Sequence, residues 1–246
     1  DMDNAANLKS RPKSLKVRLL AHYYEKILKD LKIICVTGTT GKTVTAYYVY
    51  YMLKQAGFRP AILASDEEIK VGNLYKFIKD AWKADVDYLV LTAPAHSLRK
   101  DVFYKMPIQV AALTDFVPAS LSDLTAEEYL EAENTLFSMN PDSVVLNRDD
   151  RHYLDFAVFK GVTNTLTYGT DYNSDLRIEN SKLYKKGSEA ELNYHGFRFN
   201  VASFLTGEPN ISYMACAATI GQALNLSKEH IINGIADFEV NQEETE

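Results

Sequence analysis

The segment Thr37-Gly38-Thr39-Thr40-Gly41-Lys42-Thr43 holds the residues whose types and spacing point most directly to chemistry. Glycines at 38 and 41 let the backbone take conformations that a side chain would block. Successive amide N–H groups can then converge on an anion, and a helix N-terminus adds its own unpaired donors. Lys42 supplies a cation for the terminal phosphates, and the Thr43 hydroxyl supplies an oxygen for Mg²⁺. A helix dipole contributes only about 0.3–1 kcal/mol per nearby charge at an exposed site. The amides of Gly38, Thr39, Thr40, Gly41, Lys42, Thr43 and Val44, with the Lys42 ammonium, must therefore provide most of the grip. The expected ligand is ATP with Mg²⁺. The loop departs from the general G-x-x-x-x-G-K-[ST] pattern, because Val36 stands where the first glycine is expected.

A phosphate loop must sit between a buried strand and a helix. The apolar run Ile33-Ile34-Cys35-Val36 precedes the loop, and the helical stretch 43–56 follows it and ends at Gly57. Residues 60–65, 87–92, 108–114 and 143–147 are further apolar strands. Residues 73–84 and 126–139 are helical, the second opened by Thr125 and Glu128 at capping-box spacing. This alternation predicts an α/β fold: a P-loop-type, mostly parallel sheet flanked by helices. Residues 176–204 instead alternate with period two, with turn signals at Lys186-Gly187 and His195-Gly196. That pattern predicts a smaller antiparallel meander on the edge of the sheet. Two helices, 211–225 and 228–238, close the chain. Ahead of the first strand, residues 15–30 have helical period, with Leu15, Leu19, Leu20, Tyr23, Tyr24, Ile27 and Leu28 on one side. The expectation is a docking helix packed on the core. Three regions result: a tail and docking helix at 1–31, a central ATP-binding domain at 32–240, and a C-terminal tail at 241–246.

Composition narrows the function classes. The 246 residues are 46% hydrophobic with a formal net charge of −6. An acidic balance argues against a nucleic-acid surface, which is normally basic. No run of about 18 apolar residues marks a transmembrane span, and the expected location is cytoplasmic. Cys35 and Cys216 form neither a metal motif nor a disulfide framework.

The loop and its surroundings, Val36 to Thr45, resemble the GTxGKT loop of the Mur ligase family. Further segments are similar in family order: Thr114-Asp115 after a core strand, Tyr129 to Phe137, Asn147-Arg148-Asp149-Asp150, Thr167-Tyr168-Gly169, and Gly207 with Asn210 ahead of a small-residue helix. The branch that looks most similar is that of the UDP-N-acetylmuramyl-tripeptide synthetases. The resemblance implies an ATP-dependent ligase in which ATP phosphorylates a substrate carboxylate and an amino-acid amine then attacks the acyl phosphate. It implies a UDP-muramyl-peptide type of substrate, an amino acid, and a place in peptidoglycan precursor synthesis. It also implies adenosine-side contacts from Asn147 and Asp150.

Several positions depart from the family pattern. Thr92 stands where the family has a Mg²⁺-binding glutamate, and a neutral hydroxyl is a poorer ligand for a hard cation than a carboxylate. Residues 118–123 replace an Asp-His-Leu-Asp-like stretch, and Asn241-Gln242 takes the place of a Gly-Arg hinge. Glu133 aligns with the family's carbamylated lysine. Two readings stand for it: an oxygen donor replacing the carbamate, or a solvated helix carboxylate. His96 is either a ligand or base, or a surface histidine. The catalytic candidates are thus Lys42, Glu133 and His96, and the metal candidates Thr43, Thr92 and Glu133. The family's C-terminal domain has no counterpart in this sequence; the expectation is either a fragment of a longer protein or a reduced relative, with a protein partner or the missing domain completing it. Two alternatives to the ligase reading remain: a nucleotide-binding pseudo-ligase with a binding or regulatory role, and a ligase like the folylpolyglutamate synthases.

Overall fold

Strand β1 (Lys32–Thr37) buries both of its faces, which only a sheet covered on two sides permits. Ile34 and Val36 point into one apolar cluster, while Ile33 and Cys35 point into the other. The computed structural model describes residues 14–117, 124–156 and 164–238. Ahead of β1 lie α1 (Leu15–Tyr23) and α2 (Glu25–Lys29); after it come α3 (Lys42–Gln55), β2 (Pro60–Leu63), α4 (Val71–Lys83), β3 (Tyr88–Thr92) and α5 (Ala95–Arg99). The chain continues through β4 (Ile108–Leu113), α6 (Ala126–Phe137), β5 (Ser143–Asn147), α7 (Tyr153–Phe156) and β6 (Asn164–Gly169). Strands β7 (Leu176–Tyr184), β8 (Gly187–Tyr194) and β9 (Phe197–Ser203) precede α8 (Glu208–Ala223) and α9 (Lys228–Asp237).

The described strands form one sheet in the order β2-β3-β1-β4-β5-β6-β7-β8-β9. All pairs from β2 to β7 are parallel, and β7-β8 and β8-β9 are antiparallel. The α/β class and the meander expected at the sheet edge are therefore what the chain adopts. One face is covered by α3, α8 and α9, and the other by α2, α4, α5, α6 and α7. The meander is covered on one face only. Ala190, Leu192, Phe199 and Val201 join the core, and their neighbours in β9 are exposed, which yields the period-two pattern.

Helix α6 opens with the capping box foreseen from its sequence: Thr125 Oγ1 accepts the Glu128 amide at 3.2 Å, and the Glu128 carboxylate accepts the Thr125 amide at 3.1 Å. Tyr48 of α3 is fully buried and ties three elements together. Its hydroxyl lies 2.7 Å from Ser203 Oγ and donates to Asn210 Oδ1 at 2.9 Å. Asn210 Nδ2 in turn donates to Ser188 Oγ at 2.9 Å.

The docking helix differs from expectation. It breaks at Tyr24 into α1 and α2; of the expected side Tyr24 and Leu28 are buried and Leu20 and Ile27 pack against the core, while Val17 and Ala21 complete the buried stripe. Leu15, Leu19 and Tyr23 face outward, with 60–77% of their surface exposed. The i, i+4, i+7, i+11 spacing of the buried set is as helical as the expected one, and periodicity alone could not choose between two stripes of similar polarity. No helix among the described residues is long and apolar enough to cross a membrane. Cys35 and Cys216 are both buried free thiols. The tails and the 118–123 stretch lie outside the described residues.

Candidate phosphate-binding site

The loop of residues 38–41 leaves the C-terminal end of β1 and enters α3 at Lys42. The ends of β3 and β4 flank it, because β1 lies between those strands in the sheet. Open α/β sheets bind ligands at such carboxyl-end crevices. Gly38 has φ +128° and Gly41 has φ +74°. A Cβ on Gly38 would fall 2.2 Å from Thr114 Oγ1, and one on Gly41 would fall 2.1 Å from Cε1 of Tyr213. Both positions thus require glycine for conformation and for space.

The first turn of α3 directs amide donors at the mouth of the loop, since the first four N–H groups of a helix have no partner within it. Lys42 is 5% exposed, and its ammonium donates to the carbonyls of Gly38 at 3.0 Å and Thr39 at 3.2 Å. Asp66, mostly exposed, stands 3.5 Å from the same nitrogen. The Thr43 Oγ1 atom is buried and without a hydrogen-bond partner.

Asp115 follows β4 and meets the loop at several atoms. Its main-chain carbonyl accepts the Thr39 amide at 3.0 Å. Its Oδ1 accepts the Thr40 amide at 2.7 Å, and its Oδ2 accepts the Thr40 hydroxyl. Thr114 Oγ1 donates to the Thr40 carbonyl at 2.6 Å, and the Tyr213 hydroxyl lies 2.8 Å from Thr40 Oγ1.

Glu133 projects from α6 beneath the loop and is fully buried. The reading of a solvated helix carboxylate is therefore corrected: the helix turns this position inward, along with Tyr129, Ala132, Leu136 and Phe137. Its Oε2 contacts Thr37 Oγ1, and its Oε1 has no partner. Burial pushes the Glu133 carboxyl up to about 7, against the opposing pull of the Thr37 hydroxyl, the Lys42 charge and the Tyr129 hydroxyl. Thr37 carries one hydroxyl hydrogen, and the Ala93 carbonyl lies 2.7 Å from its oxygen. A protonated Glu133 donating to Thr37 satisfies both contacts at once. Tyr129 also reaches the loop, donating to the Gly38 carbonyl at 3.2 Å.

The remaining candidates sit around this centre. The Thr92 hydroxyl accepts from the Ser65 amide and donates to the Ser65 carbonyl, both at 2.8 Å, and so joins the ends of β3 and β2. Asn147 Nδ2 donates to the Thr114 carbonyl at 3.1 Å, and its Oδ1 accepts the Asp149 amide at 3.0 Å. Asp150 accepts the Phe116 amide at 2.6 Å and the His152 amide at 2.8 Å. Both residues thus fix the loops after β4 and β5. His96 lies on α5, beyond the end of β3, and is partly exposed. Sequence reading did not single out Thr37, Asp66, Asp115, Tyr129 or Tyr213 as site residues. Thr37, Asp115 and Tyr129 fall inside or beside segments it quoted. Asp66 and Tyr213 reach the loop only through the fold.

The oxygens present suit a hard cation in part. Mg²⁺ commonly takes one or two protein oxygens beside water and substrate phosphates. Thr43 Oγ1 and Glu133 Oε1 are two buried oxygens without partners. Among the described residues no group of three or more His, Cys, Asp and Glu side chains is placed to hold a metal.

These features define an α/β domain with a glycine- and lysine-bearing loop at the carboxyl end of its sheet. Residues 36–221 match the Mur ligase middle domain, and the chain belongs to the Mur ligase family. It is 28% identical over 225 residues to UDP-N-acetylmuramoyl-L-alanyl-D-glutamate--2,6-diaminopimelate ligase 1 of Clostridium acetobutylicum, covering 85% of this chain and 46% of that protein. It is 30% identical over 206 residues to the corresponding ligase of Clostridium botulinum, covering 78% of this chain and 42% of the other. The chain spans somewhat under half the length of these relatives. A solved structure of a UDP-N-acetylmuramoyl-L-alanyl-D-glutamate--2,6-diaminopimelate ligase superposes with TM-score 0.79 at 23% identity, covering 89% of this chain and 48% of that one. Folylpolyglutamate synthetase from Lactobacillus casei superposes with TM-score 0.70 at 16% identity, covering 93% of this chain and 67% of that one. These two superpositions speak to the fold.

Proposed function

We propose that this chain is the ATP-binding middle domain of an amide-bond ligase that joins an amino acid to a carboxylate of a UDP-muramyl-peptide type of substrate. The observation that carries this reading is the buried Lys42 ammonium at the start of α3, beneath a loop whose two glycines have no room for a side chain. The amides of Gly38 to Val44, those of Thr39 and Thr40 included, and the Lys42 ammonium hold the β- and γ-phosphates. Thr43 and Glu133 are the residues that would hold Mg²⁺, which when bound would supply positive charge beside the phosphates. Asn147 and Asp150 fix the loops on the adenosine side, and His96 and Thr92 border the carboxylate side. A substrate carboxylate oxygen bonds to the γ-phosphorus as the bond to ADP breaks. The amine nitrogen then bonds to the acyl carbon, loses a proton, and phosphate leaves. The protein's share is positioning and charge neutralisation.

Calorimetric titration with MgATP tests the phosphate role. Lys42→Ala is expected to weaken binding at least about tenfold, given that charge-assisted bonds to phosphate are the strong ones. Equal affinity in the two proteins would remove that role from Lys42. For catalysis, the chain is incubated with MgATP, a UDP-muramyl-dipeptide and amino acids. ATP binding without ADP release would support the second reading, a nucleotide-binding protein with little ligase chemistry. The observation favouring that reading is Thr92, whose hydroxyl is spent on Ser65 where a metal-binding carboxylate would be needed.

A further inference from the structure

Three donors at the mouth of the loop end on one acidic residue. The Thr39 amide meets the Asp115 carbonyl, while the Thr40 amide and the Thr40 hydroxyl meet the two carboxylate oxygens. A carboxylate that accepts a main-chain N–H and a hydroxyl offers those donors the same kind of anionic oxygen that a phosphate would. The Tyr213 hydroxyl, against the same Thr40 oxygen, and Thr114, on the Thr40 carbonyl, hold the residue in this arrangement. A second acid, Asp66, stands on Lys42 in the same way. The two Thr40 donors and the Lys42 ammonium thus each face an acid of the chain itself.

We propose that Asp115 sets the affinity and the charge selectivity of the site: its carboxylate stands in for phosphate on Thr40, so that a nucleotide must displace it, and free polyanionic ATP pays more for its presence than ATP neutralised by a divalent cation. This deepens the nucleotide reading above and rests on it. Displacement leaves a negative charge beside the bound phosphates. The repulsion scales with the ligand's charge and is weakened by salt. Asparagine keeps an acceptor for the Thr40 amide and removes the charge. A residue that merely shaped the loop would behave oppositely, since its loss would weaken every nucleotide.

The test is calorimetric titration of the wild-type chain, Asp115→Asn and, as a second way of removing the charge, Asp115→Ser, with ATP in EDTA and with MgATP. Circular dichroism confirms that each variant is folded. In at least one folded variant, metal-free ATP is expected to bind about tenfold tighter than to wild type, with a smaller gain for MgATP. A gain below about threefold for metal-free ATP in every folded variant, or a loss, overturns the proposal while leaving the nucleotide reading intact. If no protein of the set binds ATP in either form, the nucleotide reading itself fails, and the proposal with it.

Discussion

Replacing Glu133 with glutamine tests whether the carboxyl beneath the loop holds its proton near neutrality. Glu133 is fully buried, and burial raises it from 4.5 to about 7. The folded chain therefore binds this proton more tightly than the unfolded chain does. Between those two values folding takes up a proton, so stability falls as pH rises through the window and the loss is complete above it. At about 1.36 kcal/mol per tenfold change in proton affinity, the linked loss is roughly 3 kcal/mol. Glutamine has the same shape and no charge to bury, and its amide can donate to Thr37 as the protonated acid does. The assay is urea unfolding of both proteins at about pH 5 and about pH 8. Other titrating groups act equally in both, so the comparison isolates Glu133. The wild-type chain should lose roughly 2–3 kcal/mol relative to Glu133→Gln between the two conditions, since pH 5 already lies above the unfolded value. A stability difference between the two proteins that stays constant with pH would refute the reasoning, since the carboxyl would then titrate as it does in water.

Two further perturbations concern how α3 begins and how it is packed. Gly41→Ala places a methyl on a residue at φ +74° and into the Tyr213 ring, and should cost about 1–3 kcal/mol together with ATP affinity. Adding Tyr213→Ala should restore part of that stability by removing the ring; no restoration in a thermal melt would mean that crowding is not the cause. Tyr48→Phe leaves the Asn210 carbonyl oxygen without its buried donor and should cost about 1–3 kcal/mol in urea unfolding. An unchanged midpoint would show that water or a rearranged side chain replaces the bond.

The loop was legible in the sequence because its parts are local: strand, glycines, lysine and helix lie within about twenty residues, and each has its own spacing signal. The meander was legible because one covered face yields alternation, clearest in β9, which the parallel strands, covered on both faces, lack. The partners of the loop are another matter. Tyr213 meets Thr40 across 173 positions, and Asp115 meets it across 75. No local pattern specifies contacts that the sheet order creates. Asn147 and Asp150 were legible as residue types, while their bonds to Thr114, Phe116 and His152 depend on how neighbouring loops lie.

Glu133 is the instructive intermediate. Tyr129, Ala132, Glu133, Leu136 and Phe137 follow the i, i+3, i+4, i+7, i+8 spacing of a helix's core-facing stripe, and all are buried. The stripe was there to be read, and a carboxylate in its middle contradicts the apolar character of its neighbours. A buried charge without a partner is so costly that the group instead shifts its proton affinity or takes a ligand. The Thr37 contact, the partnerless Oε1 and the elevated proton affinity are three expressions of that one conflict. An acidic residue on an otherwise apolar helical stripe, next to a phosphate loop, is thus a signal for a site residue in its own right, since a solvated carboxylate would have belonged on the opposite face.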